Sequence, residues 1–410
     1  MQTIKAFIAP SYESNIPKFF IYRALYNFML FLPVWVIFLQ QKHGLSLTQV
    51  TFLDSAFWLT MVLTEVPTGA VADTLGRKQS QLIGMVLATG SILLFGLAPN
   101  YPLLILANSL WPFAITFISG ADLAFFYDTL RELGREDEYP KYRGRLSAVV
   151  LAAIAVSSAL GGLIGEFNLL ATFIITAALM VVGTIFLLWL KEPPLEPDPA
   201  TGQKMRYRQT LKLAFGALRQ NSGLRFALAY SSIFMVMPAA IYVTFIQPHA
   251  VAIGLPIASL GVIALVIRLF QVAGSAAAGR TLKLLGEWNL LQLTAMLSFV
   301  GLLAIGGVQS WFGITLFAST GFITAATTPA IESLINRQTP GAVRATILSV
   351  DSLLFRLLTA LLEPGVGLVA DSYGLPTAFV GMAILHGLTL LTLLVLWKQS
   401  YNRTQPVPIK

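Results

Sequence analysis

Gly69-Ala70-Val71-Ala72-Asp73-Thr74-Leu75-Gly76-Arg77-Lys78 separates two long apolar runs, at about 48–72 and 78–98. Small residues come first, and in lipid these let helices approach closely. A carboxylate follows, placed where it can face the positive N-terminal dipole of a neighbouring helix. Gly76 supplies a tight turn, and Arg77 and Lys78 favour the water side of the break. Each flanking run reaches the ~20 residues that a helix needs to cross a hydrocarbon core. The stretch therefore reads as a short polar turn between two membrane spans.

Working outward, the same grammar repeats along all 410 residues. The chain is 56% hydrophobic and only 11% charged, against roughly 25% charged in soluble domains. A lipid-facing surface accounts for that deficit. Spans are expected at about 18–40, 48–72, 78–98, 102–127, 145–166, 168–190, 223–248, 256–279, 288–307, 311–335, 344–370 and 375–398. Lys and Arg cluster in alternate gaps, for example Arg131, Arg135, Lys141, Arg143 and Arg145, whereas the intervening gaps hold only Lys42. This asymmetry places the basic gaps and both termini in the cytoplasm, so the net charge of +8 speaks of topology and not of nucleic acid. The polar start, Met1 to Lys18, lacks the pattern of a cleaved signal peptide.

The longest gap begins Lys191-Glu192-Pro193-Pro194-Leu195-Glu196-Pro197-Asp198-Pro199. It divides the chain into an N-terminal six-helix bundle (1–190), a cytoplasmic linker (191–222) and a C-terminal six-helix bundle (223–410). The bundles echo each other. Asp128-Thr129-Leu130 corresponds to Glu332-Ser333-Leu334, Arg143 to Arg344, and Gly162-Leu163-Ile164-Gly165-Glu166 to Gly367-Leu368-Val369-Ala370-Asp371. Repeated halves are characteristic of secondary transporters, whose substrate site lies between them near the midplane.

The opening stretch resembles the signature of the major facilitator superfamily, G-x-x-x-D-[RK]-x-G-[RK]-[RK], and sits after the second span as that family's does. Thr74 is the one departure. The gap after span 8 keeps Gly274, Arg280, Lys283 and Gly286 but lacks the acid. In span 5, Gly144, Ala153, Ser157, Ser158, Gly161 and Gly162 occupy the positions of a glycine-proline pattern of the family's antiporters, with Ser158 in place of the proline. The resemblance implies an all-α membrane protein of twelve transmembrane helices in two pseudo-symmetric halves, similar to the drug:proton antiporter branch. It further implies a gating motif of Gly69, Asp73, Gly76, Arg77, Lys78, Arg143 and Arg344, with Asp73 latching onto the start of span 11. The plainer reading is a basic loop that only fixes topology.

Ionisable groups inside spans are costly and mark functional positions. The candidates for translocation and proton coupling are Asn27 in span 1, Asp54 and Glu65 in span 2, Asp122 in span 4, Arg268 and Gln271 in span 8, and Asp351, Arg356 and Glu363 in span 11. Asp54 and Glu65 share a helical face, as do Arg356 and Glu363. Glu65, deep in its span, is the expected proton carrier. Arg268 and Arg356 are the expected anion ligands, or partners of internal salt bridges. Arg23 and Asp122, nearer the span ends, suit a structural or gating role. Pro238 and Pro329 are expected kinks.

Cysteine is absent and there are three histidines, so neither a disulfide framework nor a metal centre is expected. No phosphate-binding loop, H-E-x-x-H, G-x-S-x-G or dinucleotide fingerprint occurs. The expectation is a monomeric, non-enzymatic secondary transporter of the inner (plasma) membrane, without a cofactor. It would work by rocker-switch alternating access, with a small-molecule substrate, protons and the lipid bilayer as partners. Proton-coupled efflux of a small amphipathic or anionic molecule leads. A symporter or facilitator for a small organic anion is the alternative. A non-transporting receptor or a lipid-acting enzyme stands further off, since no signalling domain or converging nucleophile is visible.

Overall fold

The computed structural model describes residues 9–194, 216 and 218–404, without the side chains of 66, 67, 69–74, 342, 345 and 402–404. The basic linker residues Lys204, Arg206, Arg208 and Lys212, and the side chain of Asp73, lie outside the described residues.

The described regular structure is helical. Its elements are α1 (Tyr12–Tyr26), α2 (Trp35–His43), α3 (Leu47–Leu75), α4 (Arg77–Leu97), α5 (Tyr101–Ile118), α6 (Ala121–Glu132), α7 (Tyr139–Phe167) and α8 (Leu169–Leu188). Then follow α9 (Ser222–Ala240), a π turn (Ile241–Phe245), α10 (Ile246–Ala252), α11 (Ala258–Leu285), α12 (Glu287–Gly307), α13 (Trp311–Gln338), α14 (Arg344–Tyr373) and α15 (Leu375–Thr404). Among the described residues ten helices are long and apolar enough to cross a membrane. Large apolar side chains such as Leu63, Leu163, Leu269, Leu361 and Leu388 point outward, which a lipid solvent favours.

The first expected span differs from the continuous helix read from sequence. It breaks between Asn27 and Val34, so α1 and α2 share its length. The reason is local competition for backbone hydrogen bonds. Asn27 caps α1, its side chain donating to the Arg23 carbonyl at 2.8 Å. The Leu30 amide turns to the Thr176 hydroxyl at 3.0 Å, and Pro33 has no amide to offer. The fourth span also breaks, at Gly120, whose φ of +85° suits glycine. In the seventh, Pro238 precedes the π turn by three residues. Pro329 sits within an unbroken α13.

The chain forms two compact units. One contains Met1–Gly44, Leu53–Pro197 and Pro256–Ala264, the other Leu45–Phe52, Asp198–Leu255 and Leu265–Lys410. In the first, Phe19 stacks on Phe125 and Phe126, at 5.9 and 5.0 Å between ring centroids, and Phe173 packs on Phe38 and Phe95. In the second, Tyr230, Phe234, Leu291, Leu390 and Trp397 form the core. There the Tyr230 hydroxyl donates to the Leu291 carbonyl at 3.1 Å, and the Thr294 and Thr327 hydroxyls meet at 2.6 Å. Lipid tails supply no hydrophobic drive between helices, so shape and such bonds hold them.

Candidate translocation and gating sites

In the first unit the two broken spans meet at an ion pair. Arg23 is in the last turn of α1 and Asp122 in the first turn of α6. Each charge therefore complements the dipole at its own helix's end. Arg23 Nη1 lies 2.8 Å from Asp122 Oδ2, and both side chains are largely buried. Asp122 also accepts from the Leu123 amide at 2.7 Å. Buried Tyr22 and Tyr26 flank the pair, with the guanidinium 5.4 Å from the centre of the Tyr26 ring. A buried ion pair is held only by close geometry and further hydrogen bonds. Neither residue's sequence position revealed this partnership, because the two lie on different spans.

On α3, Asp54 is buried and accepts from Trp58 Nε1 at 3.0 Å. Glu65, the expected proton carrier, is exposed. Eleven residues of helix bring the two onto one face but into different surroundings.

The Gly76-Arg77-Lys78 turn is tied more tightly than a solvated basic loop. Gly76 has φ +97° and precedes α4. Arg77 pairs with the Asp128 carboxylate and donates to the Ala124 carbonyl at 2.7 Å. Lys78 Nζ donates to the Leu188 and Leu190 carbonyls at the end of α8, at 2.9 and 2.6 Å. Glu192 accepts from the Arg77 and Lys78 amides at 3.0 and 2.9 Å, capping α4. Burial pushes the Glu192 carboxyl above the usual carboxylate range, against the pull of those amides and of Lys78. Sequence reading missed Glu192; its signal is a lone acid between an apolar run and Pro193-Pro194. Removing this cap by Glu192→Ala should lower stability by about 1 kcal/mol, read as a fall in detergent melting temperature. Arg143 donates to Ser147 Oγ at 2.9 Å, and Arg344 opens α14, exposed.

The second unit holds a cavity of about 420 Å³ whose lining includes Ser231, Ser232, Thr328, Glu332, Asn336 and Asp351. Ser231 Oγ donates to Asp351 at 2.9 Å and Ser232 Oγ at 3.3 Å. Phe234 and Phe355 supply apolar wall. Asp351 was legible as a charge inside a span. Glu332, Asn336 and the serines were not singled out as site residues, since polar groups near span ends are ordinary. Elsewhere in this unit Arg268 Nη1 donates to Gln271 Oε1 at 3.0 Å, as their spacing predicts. Gln271 and Tyr242 both crowd Gly321, where an added Cβ would meet each at 3.2 Å. The Tyr242 hydroxyl lies 3.4 Å from Thr320 Oγ1. Tyr242 belongs to the π turn, a feature frequent at functional sites. Arg356 is half-buried and Glu363 buried on α14, seven residues apart.

Comparison with known proteins agrees with these features. Residues 23–311 match the model of the Major Facilitator Superfamily. Multidrug resistance protein 2 of Bacillus subtilis (strain 168) is 22% identical over 93% of this chain and 94% of its own. The class G tetracycline resistance protein of Vibrio anguillarum is 25% identical over 73% of this chain and 76% of its own. Multidrug resistance protein 1 of Bacillus subtilis (strain 168), 27% identical, aligns over 44% of this chain and 46% of its own length. Among solved structures, a point mutant of the nucleoside transporter NupG superposes with a TM-score of 0.79 at 14% identity, covering 95% of this chain and all of that one; likeness at that identity speaks for the fold alone. The ten spans, the Gly76-Arg77-Lys78 turn and the family match converge: this integral membrane protein belongs to the Major Facilitator Superfamily of transporters.

Proposed function

We propose that the chain is a secondary transporter working by alternating access, exporting a small amphipathic or anionic molecule in exchange for protons, with both termini cytoplasmic. The observation that carries the coupling is the buried Arg23–Asp122 pair at two helix breaks. Discontinuous helices are where transporters place coupling sites, and a matched buried pair converts one proton into a large local charge imbalance. Asp122 thus takes the role that the sequence suggested for Glu65. The similarity to multidrug and tetracycline resistance proteins supports the outward direction.

A second reading, a symporter or facilitator for a small organic anion, is favoured by one arrangement. Arg268 is exposed and braced by Gln271 beside the π turn, as an anion ligand would be. Proteoliposomes with an imposed pH gradient and a panel of lipophilic cations, organic anions and sugars discriminate the two. The export reading expects a compound that moves only with the gradient, in a manner lost in Asp122→Asn and kept in Glu65→Gln. Gradient-independent movement of an anion, lost in Arg268→Gln, would favour the second reading.

A further inference from the structure

Most described helices that carry a side-chain N-cap take it from the residue just before them. Asn100 serves Leu103, Asn168 serves Ala171 and Asn221 serves Leu224. α3 and α11 are different, for each receives a carboxylate from a helix remote in sequence. At α3, the Leu47 amide donates to Asp371 Oδ1 at 3.0 Å, and the Thr48 amide and hydroxyl donate to Oδ2 at 2.7 and 2.6 Å. The Gln49 amide goes to Ser46 Oγ and the Ser46 amide to Gln49 Oε1, so all four orphan amides at this terminus are satisfied. At α11, the Ala258 amide donates to Glu166 Oε2 at 2.8 Å.

Asp371 ends α14 and Glu166 ends α7, and the two acids occupy matching places in the internal repeat. A glycine precedes each by four residues. A Cβ on Gly367 would lie 2.5 Å from Thr51 Oγ1 and 2.9 Å from the Leu47 carbonyl. One on Gly162 would lie 2.6 Å from the Ala258 carbonyl and 2.8 Å from the Gly261 amide nitrogen. In both places, then, glycine lets the first turns of a helix lie close, and the acid one turn later holds its amides. Each seated segment is short. Leu45–Phe52 belongs to the same compact unit as Asp371, whereas α3 from Leu53 onward belongs to the other. Pro256–Ala264 belongs to the unit of Glu166, whereas α11 from Leu265 onward does not.

We propose that Glu166 and Asp371 are a pair of gating residues, each clamping the first turns of a repeat-related helix, α11 and α3, and that the transport cycle requires both clamps to open. The inference rests on the transporter reading for its purpose, but the clamps can be tested without transport. The natural chain has no cysteine, so single introduced cysteines report locally. Leu47→Cys and Leu260→Cys are the reporters, their parent side chains 6% and 2% exposed. Ala295→Cys, in the core of the second unit, controls for unfolding. A neutral amide gives a bond about half as strong as a carboxylate does. Asp371→Asn should therefore raise maleimide labelling at Leu47→Cys roughly tenfold, and Glu166→Gln should do the same at Leu260→Cys, with Ala295→Cys still protected. Unchanged labelling at both reporters would overturn the proposal. Should the control also become labelled, Thr48→Val decides, because it keeps the acid and removes one donor. A rise of about threefold at Leu47→Cys is then expected, and no rise overturns the clamp. Absence of any transported compound alongside altered labelling would count against the export reading and leave the clamps standing.

Discussion

Asp122→Ala is expected to cost about 3–5 kcal/mol of stability, because it strands the Arg23 guanidinium in a largely buried site. The magnitude follows from asymmetry. Both charges have already lost water, and their mutual geometry, the Leu123 amide and the Tyr26 ring under the guanidinium compensate. Taking away one partner leaves the whole desolvation penalty on the other. The double change Arg23→Met with Asp122→Leu should recover most of the loss, since no charge then stays buried. It should not recover proton coupling. Thermal unfolding in detergent reads the first effect and substrate-driven proton flux the second. A double variant as unstable as the single one would mean that the pair acts through packing and not through charge.

Gly274→Val is expected to cost about 3 kcal/mol, near the upper end for overpacking. An added Cβ would overlap the Phe322 carbonyl oxygen and crowd its carbonyl carbon, and these are backbone atoms of α13 with no rotamer to change. α11 and α13 would have to part. Gly279→Val, one helix face away, is the control, as nothing lies within 4 Å of a Cβ built there. It should be neutral or stabilising by a few tenths of a kcal/mol, because valine is a better helix former than glycine. A melting-temperature drop confined to Gly274→Val supports close backbone contact, and equal drops would contradict it.

These two positions also show what was readable from sequence. Gly274 stands out as a motif remnant, yet nothing in the sequence names Phe322 as its neighbour. Asp122, Asp351 and Arg268 were visible because charge in an apolar run is costly. The partners of the two acids were not visible, because Arg23, Ser231 and Ser232 lie on other spans and only packing brings them in. The helical class and the span pattern were legible from apolar length and basic gaps, which are local properties. The break after Asn27 was not, since its backbone is satisfied by Thr176, 146 residues away. The surroundings of Glu65 were not legible for a related reason. Its depth in the span is a sequence property, but its exposure depends on which face the neighbouring helices cover.

The measurement that bears most directly on the account is substrate-triggered proton movement in proteoliposomes loaded with a pH-sensitive dye. It would compare wild type, Asp122→Asn and Glu65→Gln at equal reconstituted amounts. The account predicts that a transported compound drives proton flux in wild type and Glu65→Gln and none in Asp122→Asn. Full proton flux in Asp122→Asn, or substrate movement without any proton flux in wild type, would contradict it.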